Sequence, residues 1–170
     1  RATESIELTG SGFETLQAIF LDVLQNNLGV TTVESGVLTG SGGSGAAGQI
    51  IIDTARLQLR DGAFISTTTI GDGTGGDAFI DATESVEIIG SIVLTGTLQN
   101  TTQDAGDLTL NTQRLSIRDG GLLQAFTLGS GDGGNLVVND TESVEMLNTP
   151  MGADIPTGIL ANIIFGNGAR

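Results

Sequence analysis

The chain repeats itself with a period of 58 residues, and such a period restricts the fold more than any local signal. Residues 47–88 align without a gap to residues 105–146, and 18 of the 42 aligned positions are identical. The identities include Arg56 with Arg114, Arg60-Asp61-Gly62 with Arg118-Asp119-Gly120, and Thr83-Glu84-Ser85-Val86-Glu87 with Thr141-Glu142-Ser143-Val144-Glu145. Each unit divides again. A pattern of Gly, polar residue, apolar, any, apolar, Asp or Asn starts at Gly48, Gly76, Gly106 and Gly134, at spacings of 28, 30 and 28. One coil is therefore about 29 residues, and the long period is two alternating coils.

Within a coil the apolar residues recur every second position. Leu108 and Leu110 flank Thr109, and Leu115 and Ile117 flank Ser116. Period two is strand patterning with one buried face. Gly-rich stretches at 71–76 and 129–134 punctuate it as turns. The coil from Gly106 reads as three short strands, near 107–112, 114–118 and 121–128. Strands this short cannot bury an apolar face alone. Stacking equivalent strands in parallel, about 4.8 Å apart, closes a continuous core. The expectation is an all-β fold, a parallel β-helix (β-solenoid) of about five coils, the outer two incomplete, spanning roughly 24 Å. Right-handedness follows from the rule for parallel crossovers. A β-sandwich would show neither the fixed period nor the register of identities.

One stretch departs from the period. The first Thr-Glu-Ser-Ile-Glu motif, at residues 3–7, lies 80 residues before the second, a surplus of 22 over the repeat. The surplus falls in 12–36. Apolar residues at Phe13, Leu16, Ile19, Phe20, Val23 and Leu24 fit a helical stripe. The reading is a short amphipathic helix lying on the stack; an extra coil is the rival. If anything in the chain docks a partner, Phe13, Leu16, Phe20 and Leu24 are the candidate surface. Neither end of the sequence carries a recognisable polar cap, so both are expected to be cuts in a longer solenoid.

Composition narrows the chemistry. There is no Cys, His or Lys, and all six basic residues are Arg. That removes disulfides, thiolate metal sites, the commonest general base and Schiff-base chemistry. The net charge of −14 opposes a nucleic-acid or anionic-lipid partner. No run of 18 apolar residues would span a bilayer. No catalytic site and no cofactor is expected.

The remaining polar motifs read as structural. Aligning coils by their apolar residues puts Arg56, Ser85, Arg114 and Ser143 in one column. Glu84 then lies between the coils carrying Arg56 and Arg114, and Glu142 recurs one unit on. The expectation is a surface charge ladder of Arg56, Glu84, Arg114 and Glu142. The Glu-x-x-Glu pairs, at 84/87 and 142/145 for example, should not form a two-carboxylate site, because strand residues three apart face opposite sides. Asp61-Gly62 and Asp119-Gly120 read as turns. Asp72 and Asp77 are weak calcium candidates, because their Gly/Asp-rich segment is not iterated every nine residues. Thr67-Thr68-Thr69 suggests an ice-binding array but finds Ala125-Phe126-Thr127 one unit on.

As a set, the Thr-Glu-Ser-Val-Glu, Arg-Leu-x-(Leu/Ile)-Arg-Asp-Gly and Gly-(Asp/Asn)-Leu-x-(Leu/Val)-Asn segments resemble the long repetitive region of cyanobacterial filamentous-haemagglutinin-type exoproteins, which are two-partner-secretion passengers. The resemblance covers nearly all of the chain outside the surplus. It implies export through an outer-membrane secretion partner, an extracellular or cell-surface location, and contact with surface ligands. The expected function is thus a non-catalytic shaft segment of a large secreted adhesin or surface fibre, open to end-to-end or lateral assembly. The alternatives are a fragment of a β-helical polysaccharide lyase or hydrolase, and a ligand-binding module docking through 13–25.

Overall fold

The computed structural model describes residues 4–24, 36–98, 101–139 and 141–163. Its strands are β1 (Ser5–Thr9), β2 (Gly36–Ser41), β3 (Ile50–Arg60), β4 (Phe64–Thr69), β5 (Ala78–Ile89), β6 (Ile92–Thr97), β7 (Leu108–Arg118), β8 (Leu122–Thr127), β9 (Leu136–Asn139), β10 (Ser143–Leu147) and β11 (Gly158–Ile163). One helix, α1 (Phe13–Leu24), lies between β1 and β2. Every strand pairing is parallel. One sheet runs β1-β3-β5-β7-β10, with β9 also paired to β7, and the other runs β2-β4-β6-β8-β11. The architecture is a parallel β-solenoid, about four turns separating the first row of strands from the fifth.

The register explains the period. Ile50, Ala78, Leu108 and Leu136 share one column, and Leu57, Val86, Leu115 and Val144 another. These inward columns, with Leu59/Ile88/Ile117 and Ile65/Val93/Leu123, form one continuous core. Each fully buried aliphatic side chain contributes about 1.5–3 kcal/mol. The polar backbone is satisfied by the next coil, so the stack grows without orphaning donors.

Two of the three expected strands per coil are one bent strand. Burial in β3 alternates from Ile50 to Thr54, slips at Ala55–Arg56, and resumes at Leu57. The slip is a corner. There the Thr54 hydroxyl donates to the Arg56 carbonyl (3.2 Å), and Thr112 does the same to Arg114 (3.3 Å). In β5 the corner holds one residue more, Thr83 and Glu84 standing against Ala55 on one side and Gln113 on the other. This is a bulge. The same coil has a shorter next turn, Gly90-Ser91 against Asp61-Gly62-Ala63 and Asp119-Gly120-Gly121, and a longer final loop. The alternation of 28 and 30 residues is thus built from three local differences, and the two coil types are different objects.

Glycine recurs at 48, 76, 106 and 134 because coils touch there through backbone. A Cβ on Gly76 would lie 2.2 Å from the Gly48 carbonyl oxygen, and one on Gly106 2.1 Å from that of Gly76. The other turn uses left-handed backbone instead. Asp61 (φ 56°), Gly90 (φ 51°), Asp119 (φ 56°) and Asn148 (φ 53°) each follow the last residue of their strand, so the left-handed position itself is stacked. Asp, Asn and Gly are the residues that tolerate it.

Thr67 and Thr69 point into the core and are fully buried. Their hydroxyls donate to the carbonyls of Gly76 (2.5 Å) and Thr74 (3.1 Å), tying the Gly-rich turn from within. Thr39, Thr67 and Thr95 stack, as do Thr69, Thr97 and Thr127. This array is interior and offers no face to ice.

Candidate functional site

The outer surface of the first sheet is where the charged residues gather. Arg56, Gln58 and Arg60 project from β3 between the inward Leu57 and Leu59. The Arg56 guanidinium donates from Nη1 to Glu84 Oε2 at 2.7 Å, with both side chains about half exposed. A second, unanticipated chain of contacts runs beside it. Arg60 Nε lies 3.2 Å from Glu7 Oε1, Arg60 Nη2 donates to Gln58 Oε1, and Gln58 Nε2 donates to Glu87 Oε2 at 2.7 Å. Four side chains from three successive coils are joined this way. A search for columns at the 29-residue offset would have found it: Glu7, Gln58, Glu87, Ser116 and Glu145 share one column.

The expected ladder is partly drawn. Arg56 and Glu84 meet. Among the described residues, Arg114 and Glu142 form no ion pair; the Glu142 backbone N–H donates instead to the Gln113 carbonyl (2.8 Å). The expectation that Glu84 and Glu87 face opposite sides is corrected. The bulge at Thr83-Glu84 shifts the alternation by one, so both carboxylates lie outside, Glu84 on Arg56 and Glu87 on Gln58.

The turn carboxylates serve the backbone. Asp77 Oδ1 accepts the Asp107 N–H (2.9 Å), Asp107 Oδ1 accepts the Asn135 N–H (2.7 Å), and Asp104 Oδ1 accepts the Asp132 N–H (2.8 Å). Each caps the next coil. Asp72 is exposed on the same turn as Asp77. Among the described residues no three acidic side chains gather closely enough to hold a metal ion. Asp77 is spoken for by the stack, which weakens the calcium reading of this turn.

The outer surface of the second sheet is apolar. Phe64, Ile92, Leu94, Leu122 and Leu160 lie there with Leu16 and Phe13 of α1. The helix begins after Gly12, whose carbonyl accepts the Leu16 N–H (3.2 Å), and places Glu14 in its first turn, where the macrodipole favours an anion. Phe13 packs on the turn column: a Cβ on Gly120 would come within 2.1 Å of its ring. Leu16 is 5% exposed. Phe13 and Leu16 are therefore corrected from a docking surface to a packing surface, because the sheet beneath them presents apolar side chains on both faces. The side chains of Phe20 and Leu24 lie outside the described residues.

A second insertion meets the first. Ten residues, 148–157, link β10 to β11 where two, Gly90 and Ser91, link β5 to β6. This loop buries Ile155 against Leu16 and donates the Asp154 N–H to Gln17 Oε1 at 2.8 Å. Both insertions leave the stack at the same corner, on its first and fifth rows. Together they brace the described coils lengthwise. The sequence signals were a turn eight residues longer than its equivalent and unbroken apolar runs in β6 and β8, where β3 alternates.

No described helix is long and apolar enough to cross a membrane. Compared with protein-family models, with curated proteins and with solved structures, the chain matches none.

Proposed function

We propose that the chain is a non-catalytic shaft segment of a large secreted adhesin or extracellular surface fibre. The observation that carries the reading is the unbroken parallel register through five rows of strands in both sheets. Length in such a stack is additive, about 4.8 Å for each coil. Its polar outer residues are consumed by their neighbours: Glu84 by Arg56, Glu87 by Gln58, Asp77 by the next coil. That is the chemistry of a stiff rod with a repetitive acidic surface. Export through an outer-membrane secretion partner and contact with surface ligands come from the resemblance of the repeats.

Duplicating the 58-residue unit 50–107 in frame should lengthen the particle by about 10 Å at constant cross-section, read by small-angle scattering. A particle that widens or collapses instead would refute the rod. One observation favours a polysaccharide-degrading enzyme: Glu84 and Glu87 share an outer face with Arg56 and lie on one strand. Incubation with acidic and neutral polysaccharides separates the two readings. The shaft predicts no oligosaccharide release, and release abolished by Glu84→Gln or Glu87→Gln would establish the enzyme.

A further inference from the structure

The alternation of coil types decides what can stack on the ends of the described solenoid. In the column Glu7, Gln58, Glu87, Ser116, Glu145, every carboxylate has a neutral neighbour above and below. In the column Ser5, Arg56, Ser85, Arg114, Ser143, every Arg falls on the coils that lack that Glu. Like charges directly opposed on adjacent strands are destabilising, and no such pair occurs in these columns. The rows number five, so both outermost strands of this sheet, β1 and β10, are Glu-bearing.

The β10 edge is open. Val144 and Met146 occupy inward columns yet are 43% and 53% exposed, whereas Leu115 and Ile117, one coil below, are 1% and 0% exposed. An apolar inner row beside an unpaired backbone edge is a template for another strand. The columns specify that strand: apolar opposite Val144 and Met146, neutral or cationic opposite Glu145, and Arg opposite Ser143, as Arg56 and Arg114 stand opposite Ser85. The β1 strand of a second copy meets the first condition, with Ile6 and Leu8, and violates the second, since Glu7 would stand over Glu145.

We propose that the β10 edge is a docking surface for a parallel coil of the Arg-bearing type, and that the opposition of Glu145 to Glu7 blocks head-to-tail stacking of two copies of this chain. The inference rests on register and charge alone and is independent of the shaft reading; it would hold equally if the solenoid were an enzyme.

Two peptides test the occupant. The Arg-bearing strand and turn, residues 50–63, should bind the intact chain and protect the β10 amides from hydrogen exchange. The Glu-bearing equivalent, residues 78–91, should protect them at least about fivefold less at equal concentration. Equal protection by both, or by neither, overturns the proposal. Sedimentation at low salt tests the block. The unaltered chain should remain monomeric, and Glu145→Arg, whose neighbour within the chain is the neutral Ser116, should raise head-to-tail association roughly tenfold in a salt-sensitive way. Glu145→Gln should give a smaller rise. Glu87→Arg makes the same charge change away from the ends and should leave the chain monomeric. If Glu87→Arg associates as strongly as Glu145→Arg, net charge rather than the edge is responsible and the proposal falls.

Discussion

From one strand of the first sheet, Asp53, Arg56, Gln58 and Arg60 face outward, while the second sheet turns Phe64, Ile92, Leu94 and Leu122 outward. Both sheets stack by the same parallel register and share one core between them. They differ in what lies beyond the outer face. The first meets water, so its outward columns carry charge and hydrogen-bond from coil to coil. The second is covered by α1 and by the 148–157 loop, so its strands are apolar on both faces, as buried parallel strands are. A solenoid can thus be decorated on one side without disturbing the repeat that builds the other.

The largest expected effect comes from truncating one aromatic residue on each face. Phe126 is buried on the covered side, packed over Gly96, and Phe126→Ala should destabilise the chain by about 3–5 kcal/mol in urea unfolding. Phe79, exposed on the first sheet, should lose less than about 1 kcal/mol as Phe79→Ala. Equal losses would erase the distinction between the faces.

Leu16→Ala should follow at about 2–4 kcal/mol, and its signature is regional. Amides of α1 should exchange faster with little change in β3 and β7, which would show the brace loosening while the coils persist. A uniform acceleration would make α1 part of the cooperative core.

Gly120→Ala should cost about 1–3 kcal/mol, because Gly120 has φ 86° and a methyl group there would meet the Phe13 ring. Combining it with Phe13→Ala should recover the steric part but not the backbone part. A fully additive double variant would mean that Phe13 does not rest on this turn.

The smallest effect belongs to the charged face. A double-mutant cycle on Arg56→Ala and Glu84→Ala should return about 0.2–1 kcal/mol, decreasing with added salt, because both side chains are half exposed. A coupling well above this would show that the ladder holds the stack together rather than tuning its surface.

The period, the parallel stacking and the inward columns were legible because each coil repeats one set of apolar positions, and a 29-residue offset maps directly onto strand pairing. Leu57, Val86 and Leu115 needed no coordinates to be aligned. The helix at 13–24 was legible as a 3.6-residue stripe, although its outcome was not. Whether Phe13 and Leu16 face a partner or the chain's own coils depends on Ile92, Leu122 and Ile155, which are 76 or more residues away in sequence. The Glu84–Glu87 geometry was misread for a local reason. Strict alternation predicts opposite faces, and the one-residue bulge that cancels it shows only when neighbouring strands are laid in register.

The sequence by itself determined the coil: its length, its two alternating types, its Gly and Asp turns, and which residues enter the core. These are set by local periodicity and by backbone conformations that few residues tolerate. Only the tertiary structure decided which outer face stays wet and which is covered. It also decided that the two insertions meet through Leu16, Gln17, Asp154 and Ile155. The reason is physical. Coil formation repeats at fixed sequence offsets, whereas the brace joins segments 137 residues apart through a contact that no periodicity records.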